Sequence, residues 1–252
     1  MKDSIPLQDN IDESLPTNKF QIFLEIVVVF APLYLSLIIS ESIGSDHVTL
    51  GRNIVLLGGP LTFLGLIISL LLFWGAARRR GASWSDFGVT RPKSWLRTVL
   101  KSLGVALVVF ASVKLVISPI TDALVSMGFE PRDMSRFGYL TGSLPNLIIN
   151  LVIMWITAAF LEELMWRGYL MNRLVDLQGR QTKLAWAIAL VVSAAIFGLA
   201  HFIQGPIGVF WTGAIGLVFG LSYLAVGRNL WPLILAHGLI DTLDFIIHYF
   251  GG

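Results

Sequence analysis

Six side chains in this sequence are of types that do chemistry and stand where charge is expensive: Glu162, Glu163, Arg167, His201, His237 and Asp241. All six interrupt long apolar stretches. At bilayer depth a charge costs ~2.5–3.5 kcal/mol even on the lenient insertion scale, so an ionisable group kept there points to a function. The spacing sharpens the point: Glu-Glu-x-x-x-Arg at 162–167, Phe-x-x-x-His at 197–201 and His-x-x-x-Asp at 237–241. Carboxylates and imidazoles are the usual parts of a general acid–base site.

On a helix, Glu163 and Arg167 are four residues apart and share a face, so they read first as a buried pair that neutralises itself. Glu162 is turned about 100° from Glu163 and has no such local partner. A carboxylate without a partner in an apolar site titrates closer to neutrality than one in water. That property suits a general base, and Glu162 is the candidate. His201 follows Phe197 by one turn; alone, it reads as an interfacial histidine more readily than as a catalyst. His237 and Asp241 also share a face, where the carboxylate would fix the imidazole tautomer or both would ligate one metal. His47 and His248 fall at the ends of apolar stretches without a sequence partner and read as structural. Polar groups in lipid need company, and the nearest company is one another, so Glu162, His201 and His237 are expected to converge.

The elements that must position them are membrane helices. The chain is 55% hydrophobic and 13% charged, with a mean hydropathy of +0.76; that composition points to an all-α, polytopic transmembrane bundle. Seven apolar stretches span about 20–41, 54–77, 99–121, 146–170, 184–203, 208–227 and 230–250. None alternates as a barrel strand would. Proline and glycine inside these stretches (Pro32, Gly58-Gly59-Pro60) predict kinks that neighbouring helices accommodate. Residues 1–19 form a polar tail without signal-peptide features, and 20–252 read as one transmembrane domain. The chain has no cysteine, which excludes disulfides, thiolate nucleophiles and Cys-ligated metals.

Lysine and arginine set the orientation. With the N-terminus in the cytoplasm, thirteen cations fall in inside segments and three, Arg52, Arg132 and Arg136, fall outside; Lys114 and Arg167 lie within spans. The richest segment, 78–97, mixes basic residues with Trp84, Phe87 and Trp95. Beside two spans this is a topology signal and an interfacial segment on anionic lipid rather than a nucleic-acid site. The longest outside connection, 122–144, reads as a structured surface piece or lid.

At these motifs the chain resembles the CPBP family, the CAAX proteases and bacteriocin-processing enzymes also called Abi. The family pattern EExxxR, FxxxH and HxxxN/D on successive membrane helices appears here as Glu162-Glu163-Leu-Met-Trp-Arg167, Phe197-Gly-Leu-Ala-His201 and His237-Gly-Leu-Ile-Asp241. The resemblance covers about 146–245. It implies an intramembrane endopeptidase with its site in a cavity open to the cytoplasmic side. Glu162 would activate the attacking water and His201 would help hold it. His237 and Asp241 would stabilise the oxyanion, with Glu163, Arg167 and Phe197 in support. Asp241 stands where many relatives have Asn. An ionised aspartate cannot donate to an oxyanion, so Asp241 is protonated, or it orients His237, or it binds metal. The family has been described both as zinc proteases and as metal-independent glutamate proteases. No cofactor is the expectation here, because Glu162 cannot readily be both ligand and base. The alternative is Zn²⁺ held by Glu162, His201, His237 and Asp241.

Depth imposes a further condition. At 1.5 Å per residue, straight full-length helices would put His201 near the face opposite His237. The fourth helix is therefore expected to run past 170, and the fifth to be short, tilted or recessed before Gly205-Pro206. The expected substrate is a prenylated CAAX-type protein, or a leader or small membrane peptide in a prokaryotic cell membrane; lipid is the other partner, and nucleic acid is not one. Two other classes use intramembrane Glu, His and Asp or tolerate them: a proton-coupled transporter and a catalytically silent scaffold. The absence of an inverted repeat counts against the transporter.

Overall fold

Helix-start chemistry decides where the rods begin. In the computed structural model, which describes residues 18–44, 47–50, 54–57 and 59–251, the Asn18 side chain caps the first helix, Lys19–Ser42, by accepting from the Phe20 amide at 3.0 Å. Thr182 likewise caps the fifth, Lys183–Leu199, through the Ala185 amide. Proline opens the second helix, Pro60–Arg79, where its missing N–H costs nothing. The sequence expectation of one span over 54–77 with a kink at Gly58-Gly59-Pro60 is corrected here. Ile54–Leu57 is a strand, paired antiparallel with His47–Leu50, and the helix starts at the proline. Gly58, Arg52 and residues 1–17 of the polar tail lie outside the described residues.

The third rod, Trp95–Ser126, widens into a π turn at Val113–Ile117, just before Pro119 withholds its donor. The fourth, Leu144–Gln178, runs well past 170, as the depth argument requires. Trp155–Met171 of this rod is π-helical. Side chains take up backbone carbonyls along it: Asn172 donates to Gly168 at 2.7 Å, and the Ser193 hydroxyl donates to Trp166 at 3.3 Å. The sixth helix is Gly205–Ala225 and the seventh Trp231–Tyr249. Five helices are long and apolar enough to cross a membrane by length and composition, and Lys183–Leu199 is a shorter apolar one. Large apolar side chains such as Leu71, Leu96, Leu107 and Leu115 stand exposed on the outside of the bundle. Such a surface belongs in lipid. The protein is an integral, multi-pass helical bundle.

Packing fixes the bundle around the fourth rod, whose residues 163–171 are all buried. The first and second helices pack through Gly65, where a Cβ would strike Pro32 and Ser36. The Ser69 hydroxyl accepts the Leu33 amide beside Pro32, so a neighbouring helix does accommodate the proline.

The connections sort by charge onto the two ends. At one end, Glu25 accepts from Arg80 at 2.7 Å, Tyr169 at 2.9 Å and Arg173 at 3.1 Å. There too the Leu230 amide donates to Gly88 at 2.9 Å, Lys19 lies beside Gly179, and Arg228 stacks on Trp186. At the other end, the Asp133 amide donates to Gln204 at 3.2 Å and the Gly142 amide to Tyr249 at 2.9 Å. The segment after Ser126 is structured, as the sequence suggests: a 3₁₀ turn at Ser135–Leu140 buries Phe137 against Phe245 and His248.

Candidate active site

Glu162 and Glu163 are neighbours in the π-helical stretch and go to different places. Glu163 is fully buried, and its Oε1 accepts from Arg167 at 2.8 Å. The same oxygen lies 2.9 Å from His237 Nδ1, and Oε2 is buried without a hydrogen-bond partner. Arg167, 2% exposed, also donates to the Gly216 carbonyl at 3.2 Å and lies over the rings of Phe197 and Phe219. The sequence reading of a self-neutralising pair is therefore incomplete. Glu163 reaches across to the seventh helix and holds an imidazole.

His237 sits between two carboxylates, with Asp241 Oδ2 3.4 Å from its Nε2. A carboxylate facing Nδ1 makes that nitrogen the donor. Two bare acceptors would repel across the second gap, so that gap also holds a proton, on Nε2 or on Asp241. Trp155 locks the seventh helix at this level. Its ring lies so close to Gly238 that a Cβ there would meet it at 2.5 Å, and its indole N–H donates to Thr242 at 3.1 Å.

The fifth helix ends at Leu199, which leaves His201 on the turn that follows. Its Nδ1 is 3.0 Å from the Phe197 carbonyl. A carbonyl only accepts, so Nδ1 carries the proton and Nε2 of the neutral ring is left as an acceptor. Phe197 meets the imidazole edge-on at 4.9 Å. The fifth helix is short, as the depth argument expects, and His201 lies in the connection between its end and Gly205-Pro206.

Glu162, His201, His237 and Asp241 all line one cavity of about 380 Å³. Glu162 makes no hydrogen bond or ion pair among the described residues, yet it lies within electrostatic reach of His237, Asp241, Arg167 and Glu163. The walls are largely apolar, with Leu33, Leu37, Met165, Trp166 and Phe219 among them. Such a site strengthens each electrostatic interaction inside it. A base with free lone pairs, an acceptor imidazole and a braced donor imidazole around one apolar space can activate a water and stabilise an oxyanion.

The zinc alternative fits this arrangement poorly. Among the described residues no three His, Asp or Glu side chains gather as a metal-binding set. Both nitrogens of His237 already face carboxylates, and His201 Nδ1 is taken by a carbonyl. The cavity wall includes Glu41, Thr62, Arg132, Arg136, Gln204 and Asp244, which lie toward the ends opposite the basic segments. Sequence reasoning did not single out these residues. The only signal was the aromatic, proline-bearing segment 122–144. His248 is not without a partner: it pairs with Asp244 at 3.7 Å and rests on Phe137.

Residues 144–243, which carry all three motifs, match the family model described as type II CAAX prenyl endopeptidase Rce1-like. No curated protein and no solved structure matches the chain.

Proposed function

We propose that this chain, whose residues 144–243 match the type II CAAX prenyl endopeptidase Rce1-like family model, is an intramembrane endopeptidase that hydrolyses peptide bonds of membrane-associated substrates with water activated by Glu162. One observation carries the reading: the Glu162 carboxylate has no partner among the described residues and shares an apolar cavity with two imidazoles whose hydrogen bonds suit them to opposite tasks.

Glu162 takes a proton from a water that the His201 Nε2 lone pair helps to orient. The resulting hydroxide attacks the scissile carbonyl carbon, whose oxygen becomes an oxyanion. His237, held by Glu163 at Nδ1, presents the proton between Nε2 and Asp241 to that oxygen. Collapse breaks the C–N bond, and Glu162 returns its proton to the leaving amine. Arg167 holds Glu163, so this chain of contacts positions the oxyanion donor without touching substrate. The mechanism needs no metal. The substrate is a prenylated CAAX-type protein or a leader or small membrane peptide, and the setting is a prokaryotic cell membrane with the N-terminus inside.

The reading is tested by reconstituting the protein with a library of membrane-tethered peptides and comparing wild type with His201→Ala. Cleavage that falls by at least about 10²-fold on the substitution supports the assignment. Undiminished cleavage removes His201 from the site. Proton-coupled flux without any cleavage would favour a transporter.

A further inference from the structure

Phe219 lies in an ordinary apolar run, and its sequence setting does not mark it for chemistry. In the fold it stands on the sixth helix, 1% exposed, and lines the reactive cavity. Its ring meets two groups of the site at once. The His237 imidazole lies against it, with ring centroids 5.0 Å apart and planes tilted by 39°. The Arg167 guanidinium lies 5.3 Å from its centroid. Arg167 is shared: it also lies 4.9 Å from the Phe197 ring, which meets His201. Each of the two cavity imidazoles thus has a phenyl ring beside it, and one buried cation joins the two rings. Both guanidinium separations are within the reach of a cation–π contact.

The polar contacts of His237 do not fix its ring by themselves. Glu163 Oε1 is 2.9 Å from Nδ1, and Asp241 Oδ2 is 3.4 Å from Nε2. The second distance is long for a hydrogen bond, so Nε2 is the less firmly held edge. Both contacts also bear on the ring's edge, and a ring held at two edge points can still swing about the line through them. A group packed against the ring stops that swing, and Phe219 is placed to do so. Its own helix has little freedom to retreat. The Gly216 carbonyl accepts from Arg167 at 3.2 Å. A Cβ at Gly216 would meet Phe197 at 2.8 Å, and one at Gly220 would meet Leu190 at 2.3 Å. These two glycines flank Phe219 and set its helix hard against the fifth.

We infer that Phe219 is a positioning residue for His237: its ring sets the plane of the imidazole and so aims the Nε2 edge at the oxygen of the scissile carbonyl. The catalytic consequence rests on the peptidase reading; the ordering of the imidazole does not. A misplacement of about 1 Å can cost roughly 10²-fold in rate, so a loosened imidazole should lower turnover without weakening substrate binding.

The test has a kinetic and a spectroscopic arm, both on the full chain in phosphatidylcholine vesicles. Phe219→Leu keeps an apolar side chain and removes the ring; Phe219→Met, closer in volume, replaces it if the leucine variant does not fold. Phe219→Tyr keeps the ring. With folding verified by melting, the ring-less variant should lose roughly 10- to 100-fold in kcat at an unchanged KM, and Phe219→Tyr should keep most of the wild-type rate. A wild-type kcat without the ring, an equal loss in Phe219→Tyr, or a loss carried by KM overturns the inference. The second arm needs no substrate. With ¹⁵N-labelled histidine, the ring-nitrogen signals of His237, identified by their loss in His237→Gln, should be sharp and single in wild type and in Phe219→Tyr, and broadened or doubled in the ring-less variant. Unaltered His237 signals in that variant overturn the inference. If wild type cleaves no peptide while the ring-less variant still disorders His237, the peptidase reading falls and the positioning role stands.

Discussion

Glu162 and Glu163 are adjacent in sequence and opposite in circumstance, and substitution should separate them. Glu163→Gln removes the counter-charge of a fully buried Arg167 and one hydrogen bond of His237. Breaking such a pair costs about 3–5 kcal/mol, so thermal unfolding in detergent should show a large loss of stability. Glu162→Gln removes no partner and should leave the melting temperature unchanged or raised. Equal destabilisation of the two variants would contradict the division of roles. The Glu163–Arg167 contact was legible in the sequence because it lies within one helix turn. The contact with His237 was not, because it joins residues 74 apart. Arg132 and Arg136 were also missed: in a polar connection a charge is ordinary, whereas in an apolar run it stands out. Glu25 was missed near the start of its helix, where an acidic residue reads as a terminus rather than as the acceptor for three side chains.

The elements position these residues through close contacts that pattern alone does not reveal. Gly238 faces the Trp155 ring with no room for a Cβ. Gly238→Ala should push the indole away, disturb the helix that carries His237, and cost about 1–3 kcal/mol. The cost should shrink when Trp155→Leu is added, and a double-mutant cycle measured by thermal unfolding checks the coupling. The basic loop offers a pH test. Asp86 accepts from the Ser83 amide and hydroxyl, which holds its carboxyl below the ordinary range. A carboxyl depressed in the folded state contributes stability above its unfolded value and loses it as pH falls through the folded one. Amide exchange of residues 83–88 should therefore accelerate at acid pH, and Asp86→Asn should flatten that dependence. Most helix positions were legible from hydropathy. The Gly59-Pro60 step was misjudged because proline starts a helix as readily as it bends one, and four-residue strands are too short to outweigh the apolar run that contains them.

At the scale of the whole molecule, the bundle keeps cations at one end and encloses its reactive cavity among its helices. Sequence counting established the first half of that statement. The second half depends on how seven helices cross, which charge counts do not encode. The same arrangement, with no three donors gathered for a metal among the described residues, predicts that cleavage survives a strong chelator; loss of activity that zinc restores would overturn the metal-independent route. The central claim is that the Glu162 carboxylate is the base that activates water. It is tested most directly by the cleavage rate of one membrane-tethered peptide by wild type and by Glu162→Gln in the same vesicles, with equal folding verified by melting. The predicted result is a rate lower by about 10²–10⁴-fold for the variant. A rate within a few-fold of wild type would contradict the account.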